Sequence, residues 1–196
     1  MSNLTDFFPS GGGGGGLTPK FQEFNASGTF TPTQALIDAG GYIEVFLVAG
    51  GSTGTYSAGD TTGGSGGEVL IKKMYLTFIS GCNVTIGAGG IAGIASGSVA
   101  SNAGGDSIFL GSSSGGVDLT AKGSGVKASP SWGGASLGSN TQPRGITAST
   151  GVLGYGAGGA SNSGGGYYNP PPNNGAGAYY YAYPASSGYC LIKWYE

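Results

Sequence analysis

Side chains that could carry out catalysis are few in this chain and are scattered along it. The sequence has no histidine and nine carboxylates that occur singly, so a serine or cysteine nucleophile would lack its usual base. A glycosidase pair such as Asp106 with Asp118 is formally possible, although two solvated carboxylates at the ends of a hairpin are the favoured interpretation. We therefore predict that the protein is not an enzyme and has no catalytic residue and no cofactor.

The two cysteines, Cys82 and Cys190, give no sign of a metal site or a disulfide scaffold. Two thiols without any histidine are too few to hold a metal ion. We expect both to be small core residues and no metal to be bound, and a bridge between them is the alternative.

Residues 154–159 have the spelling GxGxxG of a dinucleotide-binding turn. Matches of this kind arise by chance in a chain with 45 glycines among 196 residues. No helix pattern follows, and no Asp or Glu lies within the next ~20 residues to bind a ribose. The sequence therefore does not predict a nucleotide site.

Two uncharged segments near the C-terminus are rich in tyrosine and proline. Residues 167–174 read YYNPPPNN and residues 179–184 read YYYAYP. Because each tyrosine hydroxyl needs a hydrogen-bond partner, such segments suit an interface better than a core. We predict two exposed loops that bind a partner, with Trp132 at the same tip; packing along an oligomer axis is the alternative. The predicted binding residues are Trp132, Tyr167, Tyr168, Asn169, Asn173, Asn174, Tyr179, Tyr180, Tyr181 and Tyr183.

The first 16 residues combine a short apolar peptide with a run of glycines. Leu4, Phe7 and Phe8 precede Pro9, and residues 11–16 are all glycine. Six extended residues span about 20 Å, which is enough to place the peptide on a neighbouring subunit. We predict that Leu4, Phe7 and Phe8 dock into an apolar groove of another protein and that the glycines act as a tether.

Composition excludes several classes of partner. The net charge is −2 with no basic cluster, which argues against nucleic acid and against an anionic membrane surface. No stretch has the length of a transmembrane helix, and the N-terminus has no signal-peptide pattern, so we expect synthesis in a cytosol and no membrane insertion.

Residues 42–49 are the most strongly patterned segment, and they predict a strand with apolar groups on both faces. Such a strand belongs in the middle of a sandwich or an oligomer. Thr31 is the predicted N-cap of a helix over residues 32–39, and residues 50–67 are predicted to be a polar loop. The C-terminal strand is predicted to close the sheet that begins near residue 28. Further strands are predicted at 28–30, 68–79, 82–86, 107–110, 117–122 and 189–195, the pair 107–110 and 117–122 forming a hairpin.

The glycine clusters could form stacked polyproline-II helices, in which backbones pack face to face. Gly87, Gly90 and Gly93 keep a period of three, but the register is lost at Ser96. We therefore predict short glycine stretches that cross at a threefold axis instead of a pure polyglycine lattice. A homotrimer is also expected because a strand apolar on both faces leaves one monomer short of burial.

Four stretches taken in order resemble the glycine-rich domain at the ends of bacteriophage tail fibres and related tail-tip proteins. They are SGTFTPTQALIDAGGYIEVFLVAGG at 27–51, NVTIGAGG at 83–90, GGDSIFLGS at 104–112 and GYCLIKWYE at 188–196. The resemblance covers about residues 26–196 and implies a small β domain, usually trimeric, on a virion appendage that touches the host. Residues 166–184 depart from the pattern.

These observations together predict an all-β fold, a small glycine-rich β-sandwich with long glycine- and tyrosine-rich loop insertions, assembled as a trimer. Residues 1–16 would be the docking peptide and tether, and residues 17–196 the glycine-rich β domain, with distal loops at 128–187.

The expected function is that of a virion tail-fibre or tail-tip protein that is assembled in the host cytoplasm. It would bind a host glycan or outer-membrane protein through the distal loops and another tail or baseplate protein through its N-terminus. A purely structural tail or baseplate component is the alternative, and an ice-binding protein or a soluble enzyme has less support.

Overall fold

A computed structural model describes residues 16–57, 60–62, 64–91, 102–110, 118–124, 175–177 and 184–196. Within these residues the chain forms ten strands and one short helix. In chain order they are β1 Pro19–Phe24, β2 Gly28–Phe30, α1 Gln34–Asp38, β3 Tyr42–Val48, β4 Thr55–Ser57, β5 Asp60–Thr62, β6 Val69–Tyr75, β7 Cys82–Thr85, β8 Ser107–Leu110, β9 Leu119–Ala121 and β10 Tyr189–Tyr195. No helix in this part of the chain is long and apolar enough to cross a membrane.

The strands form two four-stranded antiparallel sheets and one small hairpin. Sheet A has the order β1-β10-β3-β6, and sheet B has the order β2-β7-β8-β9. The hairpin consists of β4 and β5. Side chains from both large sheets share one apolar core, so the predicted all-β class and sandwich are confirmed.

β3 lies inside sheet A because its residues are apolar on both faces. Ile43, Val45 and Leu47 are fully buried between the sheets. On the opposite face Phe46 and Val48 are also buried, packed with Tyr189 of β10. The prediction of a central strand at 42–49 is therefore confirmed: the inner face of β3 is buried, and on its outer face Phe46 and Val48 are buried while Tyr42 and Glu44 are partly exposed.

Sheet B supplies the second layer of the core through strictly alternating residues. Cys82 and Val84 of β7 point inward while Asn83 and Thr85 remain exposed. Phe109 of β8 is fully buried. β8 pairs antiparallel with β9, which confirms the predicted hairpin.

Two local predictions need correction. The helix begins later than expected, because Thr33 and not Thr31 caps it: the Thr33 hydroxyl accepts a hydrogen bond from the Leu36 amide at 3.1 Å. The C-terminal strand closes a different sheet from the one expected. β10 pairs with β1 and β3, whereas the strand at residue 28 belongs to sheet B.

Both cysteines are buried thiols outside any disulfide, as predicted. They lie in the core between the sheets, and burial raises the pKa of the Cys190 thiol to about 12. A neutral thiol behaves there as a small apolar side chain.

Beyond the sheets, glycine-rich segments pack side by side into what we call the glycine bundle. It comprises seven described segments: 49–53 at the centre and, in order around it, 64–67, 175–177, 184–188, 87–90, 102–105 and 122–124. Backbone hydrogen bonds join each outer segment to the next, and the bond from the Glu68 amide to the Lys122 carbonyl closes the ring at 3.0 Å.

The central segment is bonded to its neighbours rather than to itself. The Gly50 amide donates to Gly105 O and the Gly51 amide donates to Ser186 O, both at 3.0 Å. In the other direction, Gly90 N donates to Gly51 O at 2.8 Å. Extended chains without internal hydrogen bonds can be satisfied on all sides in this way. The short glycine stretches therefore pack against one another within a single chain, whereas their expected crossing at a threefold axis stays a prediction. The expected polar loop at 50–67 likewise contains two bundle segments and the β4–β5 hairpin.

Candidate functional site

The glycine bundle has two ends, one against the sheets and one remote from them. The central segment continues directly from β3, so residue 49 lies at the sheet side and residue 53 at the other side. Thr53 N donates to Asn102 O at 3.0 Å, and Ala185 N donates to Gly90 O at 2.9 Å. These contacts bring residues of four different segments to the same place, which we call the remote end.

Several connections of the chain start and finish at the remote end. Thr53, Gly64, Gly90, Asn102 and Gly177 lie toward this end, whereas Ser124 N donates to Gly50 O at 3.2 Å and so lies nearer the sheets. The first connection contains the β4–β5 hairpin. The second begins with Ile91, whose side chain is 76% exposed. The bundle thus gathers segments distant in sequence at one pole of the molecule.

Residues 175–177 run away from the sheets, as their partners show. Gly67 N donates to Gly175 O at 2.8 Å next to the start of β6, and Ser186 N donates to Ala176 O at 2.9 Å. An added Cβ on Gly177 would meet Ser65 O at 2.7 Å, farther along the bundle. Gly175 therefore lies at the sheet side of the bundle, whereas Gly177 and Ala185 lie toward the remote end.

Glycine is required in the bundle because the backbones touch. An added Cβ on Gly51 would lie 2.5 Å from the Ala176 carbonyl carbon, and one on Gly104 would lie 2.7 Å from Gly51 O. Real Cβ atoms essentially never approach so closely. Among the described bundle glycines only Gly175 has a positive φ, so close approach and not backbone conformation is the general reason for glycine here.

Buried hydroxyls complete the hydrogen bonding inside the bundle. Ser52 Oγ accepts from Ser65 N at 2.9 Å, and Thr53 Oγ1 accepts from Asn102 N at 2.7 Å. Ser107 Oγ accepts from Gly87 N at 2.9 Å. Because both backbone and side-chain polar groups find partners, the bundle can serve as a rigid support without a large apolar core.

A carboxylate clasp ties β8 to the bundle segment after β9. Asp106 accepts hydrogen bonds from Lys122 Nζ at 2.8 Å and from Gly123 N at 2.7 Å. The Lys122 and Gly123 hydrogen bonds lower the pKa of the Asp106 carboxyl. Glu68 adds a third contact by accepting from Lys122 N at 2.8 Å. These carboxylates thus have structural partners.

The arrangement of acidic residues gives no support to catalysis or metal binding. Asp106 precedes β8 and Asp118 precedes β9, and the antiparallel register places them at opposite ends of the hairpin. Four strand residues separate those ends by about 13 Å, which exceeds the carboxylate spacing of glycosidases. Within the described ranges no group of three or more Asp, Glu, Cys or His residues could hold a metal ion.

At the opposite pole Glu196 joins three elements. Its carboxylate accepts a hydrogen bond from the Thr33 hydroxyl and another from Trp194 Nε1 at 3.2 Å, and Lys20 Nζ lies 3.6 Å away. The Thr33 and Trp194 hydrogen bonds, followed by Lys20, lower the pKa of the Glu196 carboxyl. The helix cap, β1 and the C-terminal strand are thereby fixed to one another.

The residues predicted to bind partners lie outside the described residues. This applies to Leu4, Phe7 and Phe8, to Trp132, and to the tyrosine and asparagine residues of 167–174 and 179–183. The described structure defines the points where these segments join the fold. Sequence reasoning missed the remote end itself, although the short runs of glycine with a period of three were a signal for it.

Comparison with known proteins identifies the family to which the chain belongs. No curated protein matches the sequence. A family model described as a glycine-rich domain matches residues 25–192, a range that includes every described strand except β1 and the end of β10. This range covers most of the chain and contains both the sandwich and the bundle. The chain therefore belongs to the glycine-rich domain family.

Proposed function

We propose that this protein is a bacteriophage tail-fibre or tail-tip component that binds a host cell-surface receptor through aromatic segments at the remote end of the glycine bundle. The observation that carries the proposal is the gathering of several chain connections at that end by a rigid backbone lattice. Loops that extend from a rigid scaffold are a common way to build a binding surface. The resemblance of four sequence stretches to phage fibre domains supplies the biological setting.

The segment 178–183 is the best candidate for the main contact. It contains Tyr179, Tyr180, Tyr181 and Tyr183, and both of its neighbours in the chain, Gly177 and Pro184, are at the remote end. Tyrosine rings offer large contact area at a low cost in conformational entropy, and they stack well on sugars. Residues 167–174 precede Gly175 at the sheet side, so we expect a smaller contribution from Tyr167, Tyr168, Asn169, Asn173 and Asn174.

Binding of the isolated protein to host cells tests this proposal. Replacing Tyr180 and Tyr183 with serine should reduce binding at least about tenfold, since buried tyrosines at interfaces often contribute 2 kcal/mol or more each. Tyr75→Ser is the matched control, because Tyr75 is an exposed tyrosine on sheet A, far from the remote end. Substitutions are preferable to deletion of residues 166–184, since that deletion would remove bundle residues 175–177.

The outcomes separate the proposal from its alternatives. Loss of binding in the double variant with an unchanged melting curve supports the receptor surface. Loss of assembly with the same variant means that the tyrosines lie at a subunit interface. If the unmodified protein does not bind host cells at all, the purely structural tail or baseplate role stands instead. Periodate treatment of the cells should abolish binding to a glycan, and protease treatment should abolish binding to an outer-membrane protein.

We further propose that Leu4, Phe7 and Phe8 attach the protein to another tail or baseplate protein, and that the protein resides in the virion tail as a homotrimer. Phe7→Ser combined with Phe8→Ser should remove the protein from particles, because both rings would no longer fill an apolar groove. The melting curve of the variant should match that of the unmodified protein. Normal incorporation of the double variant would contradict the docking role.

A further inference from the structure

The outer face of sheet A, which points away from sheet B, is divided into a buried part and an open part. Near the bundle, Phe46, Val48 and Tyr189 are buried. The same face also carries exposed or partly exposed apolar side chains: Ile71 lies beside Phe46, and Phe21, Tyr42 and Tyr75 lie farther from the bundle. We call this second region the open half-face and define it by Phe21, Ile71, Tyr42 and Tyr75.

The open half-face is strongly apolar for a solvent-exposed surface. Phe21 is 58%, Ile71 is 46% and Tyr75 is 70% exposed. The rings of Tyr42 and Tyr75 pack edge to face with centroids 5.4 Å apart. A row of charged residues crosses the region: Lys193 of β10 lies between Phe21 and Glu44 in the register, and Lys73 Nζ is 3.8 Å from a Glu44 carboxylate oxygen. An aromatic surface with a polar insert of this kind is suited to binding an apolar peptide.

The point where residues 1–15 join the described chain lies beside this surface. Thr18 N donates to Glu196 O at 2.6 Å, which fixes the residue before β1 at the end of sheet A remote from the bundle. Leu17 is exposed there. β1 is an outer strand of sheet A, and it carries Phe21 on the open half-face.

The length of the N-terminal segment matches the width of the sheet. Four strands span about 14 Å from the first to the last at ordinary strand spacing. The six glycines at 11–16 span up to about 20 Å when extended. A peptide carried by these glycines can therefore reach every part of the open half-face from Leu17.

We propose that residues 4–8 bind the open half-face of their own chain, with Phe7 and Phe8 against Phe21 and Tyr75. Asp6 is the one charged residue of this peptide and would face Lys73. A short tether gives an effective concentration in the millimolar range, so the peptide's own chain is favoured over a second copy at micromolar protein.

This self-docking adds a regulatory step to the proposed attachment role, because it uses the same two phenylalanines. Before assembly the peptide covers an apolar surface that would otherwise promote aggregation. A carrier protein that binds Phe7 and Phe8 more tightly displaces the peptide and exposes the half-face. Attachment would then uncover a second contact surface on the protein.

Site-specific crosslinking of the full chain tests the self-docking. A photoreactive benzophenone amino acid is placed at Phe8, the purified protein is irradiated at several concentrations, and digests are mapped by mass spectrometry. We expect crosslinks within one chain to peptides of β1 or β6, in a yield independent of concentration. Phe21→Ser combined with Tyr75→Ser should remove most of this crosslink. Ile91→Ser is the matched control, because Ile91 is equally exposed but lies at the remote end, and it should have no effect.

Two results would overturn the proposal. Crosslinks that join two chains and increase with protein concentration would show that a second copy occupies the half-face. If the chain with benzophenone at Phe8 and no other change forms no crosslink to β1 or β6, the peptide does not bind the open half-face. This result does not depend on whether the serine variants fold. Because this test uses isolated protein, self-docking can fail while incorporation into particles still depends on Phe7 and Phe8.

Discussion

Replacing Gly51 with alanine should strongly destabilise the protein. The added Cβ would lie 2.5 Å from the Ala176 carbonyl carbon and 2.8 Å from Gly175 O, whereas ordinary contacts begin at 3.4 Å. The segments must separate by about 1 Å, but the central segment has neighbours on every side and cannot withdraw from one without pressing on another. Overpacking of this kind costs about 1–3 kcal/mol.

The same shift also weakens two hydrogen bonds. Gly51 N donates to Ser186 O at 3.0 Å, and Gly51 O accepts from Gly90 N at 2.8 Å. Buried backbone groups left without partners cost about 1–3 kcal/mol each. We therefore expect a loss of about 3–5 kcal/mol in the free energy of unfolding, which is a large part of the usual 5–15 kcal/mol.

Urea unfolding followed by circular dichroism measures this loss, and two other glycines serve as controls. Gly40 has a φ of +101° and no atom within 4 Å of an added Cβ. Gly40→Ala therefore measures only the cost of placing an alanine in a left-handed backbone conformation, which should lower the free energy of unfolding by about 1–2 kcal/mol. Gly16 also has nothing within 4 Å and no such φ, so Gly16→Ala should change stability by less than about 0.5 kcal/mol. A Gly51→Ala variant as stable as Gly16→Ala would refute the close-packing argument.

Three further predictions concern pH, thiol chemistry and assembly. Because the pKa of the Asp106 carboxyl is lowered, its hydrogen bonds stabilise the fold above the unfolded pKa near 3.8, and this stability is lost as pH falls through the folded pKa. The free energy of unfolding of Asp106→Asn should therefore fall less steeply at acid pH than that of the unmodified protein. An equally steep fall would contradict the role of Asp106. Cys82 and Cys190 should react with a thiol reagent only after unfolding, because both are buried and Cys190 has a pKa of about 12, so rapid labelling of native protein would contradict the core assignment. Light scattering should give the mass of a homotrimer, and a monodisperse monomer that melts cooperatively would remove that proposal.

The sandwich could be predicted because its signals are local. The alternation of Cys82 and Val84 with Asn83 and Thr85 is enough by itself to indicate which face of β7 is buried. The apolar character of both faces of β3 likewise indicates an interior strand. Strand pairing is not local, because it joins residues far apart in the chain, and the sequence pattern therefore predicts the wrong sheet for β10.

The glycine bundle escapes prediction for a different physical reason. Its described segments lie far apart in the sequence, and the period of three at Gly87, Gly90 and Gly93 is lost within a few residues. The bundle exists only because seven such pieces are brought together by the strands that flank them. The helix cap is a smaller error: Pro32 as the expected first helical position indicates Thr31 as the cap, but the Leu36 amide donates to the Thr33 hydroxyl and the helix begins after Thr33.

The order of strands in sheet A has a consequence for how the chain is made. β10 is the last strand in the sequence, yet it lies between β1 and β3, and the residues just before it, 184–188, complete the ring around the bundle centre. Neither sheet A nor the bundle can close until residues 184–195 have left the ribosome. Because long loops must close before these contacts form, folding should be slow. Nascent chains stalled before residue 184 should therefore remain sensitive to protease along β1 and β3, whereas released full-length chains become resistant only after a measurable delay.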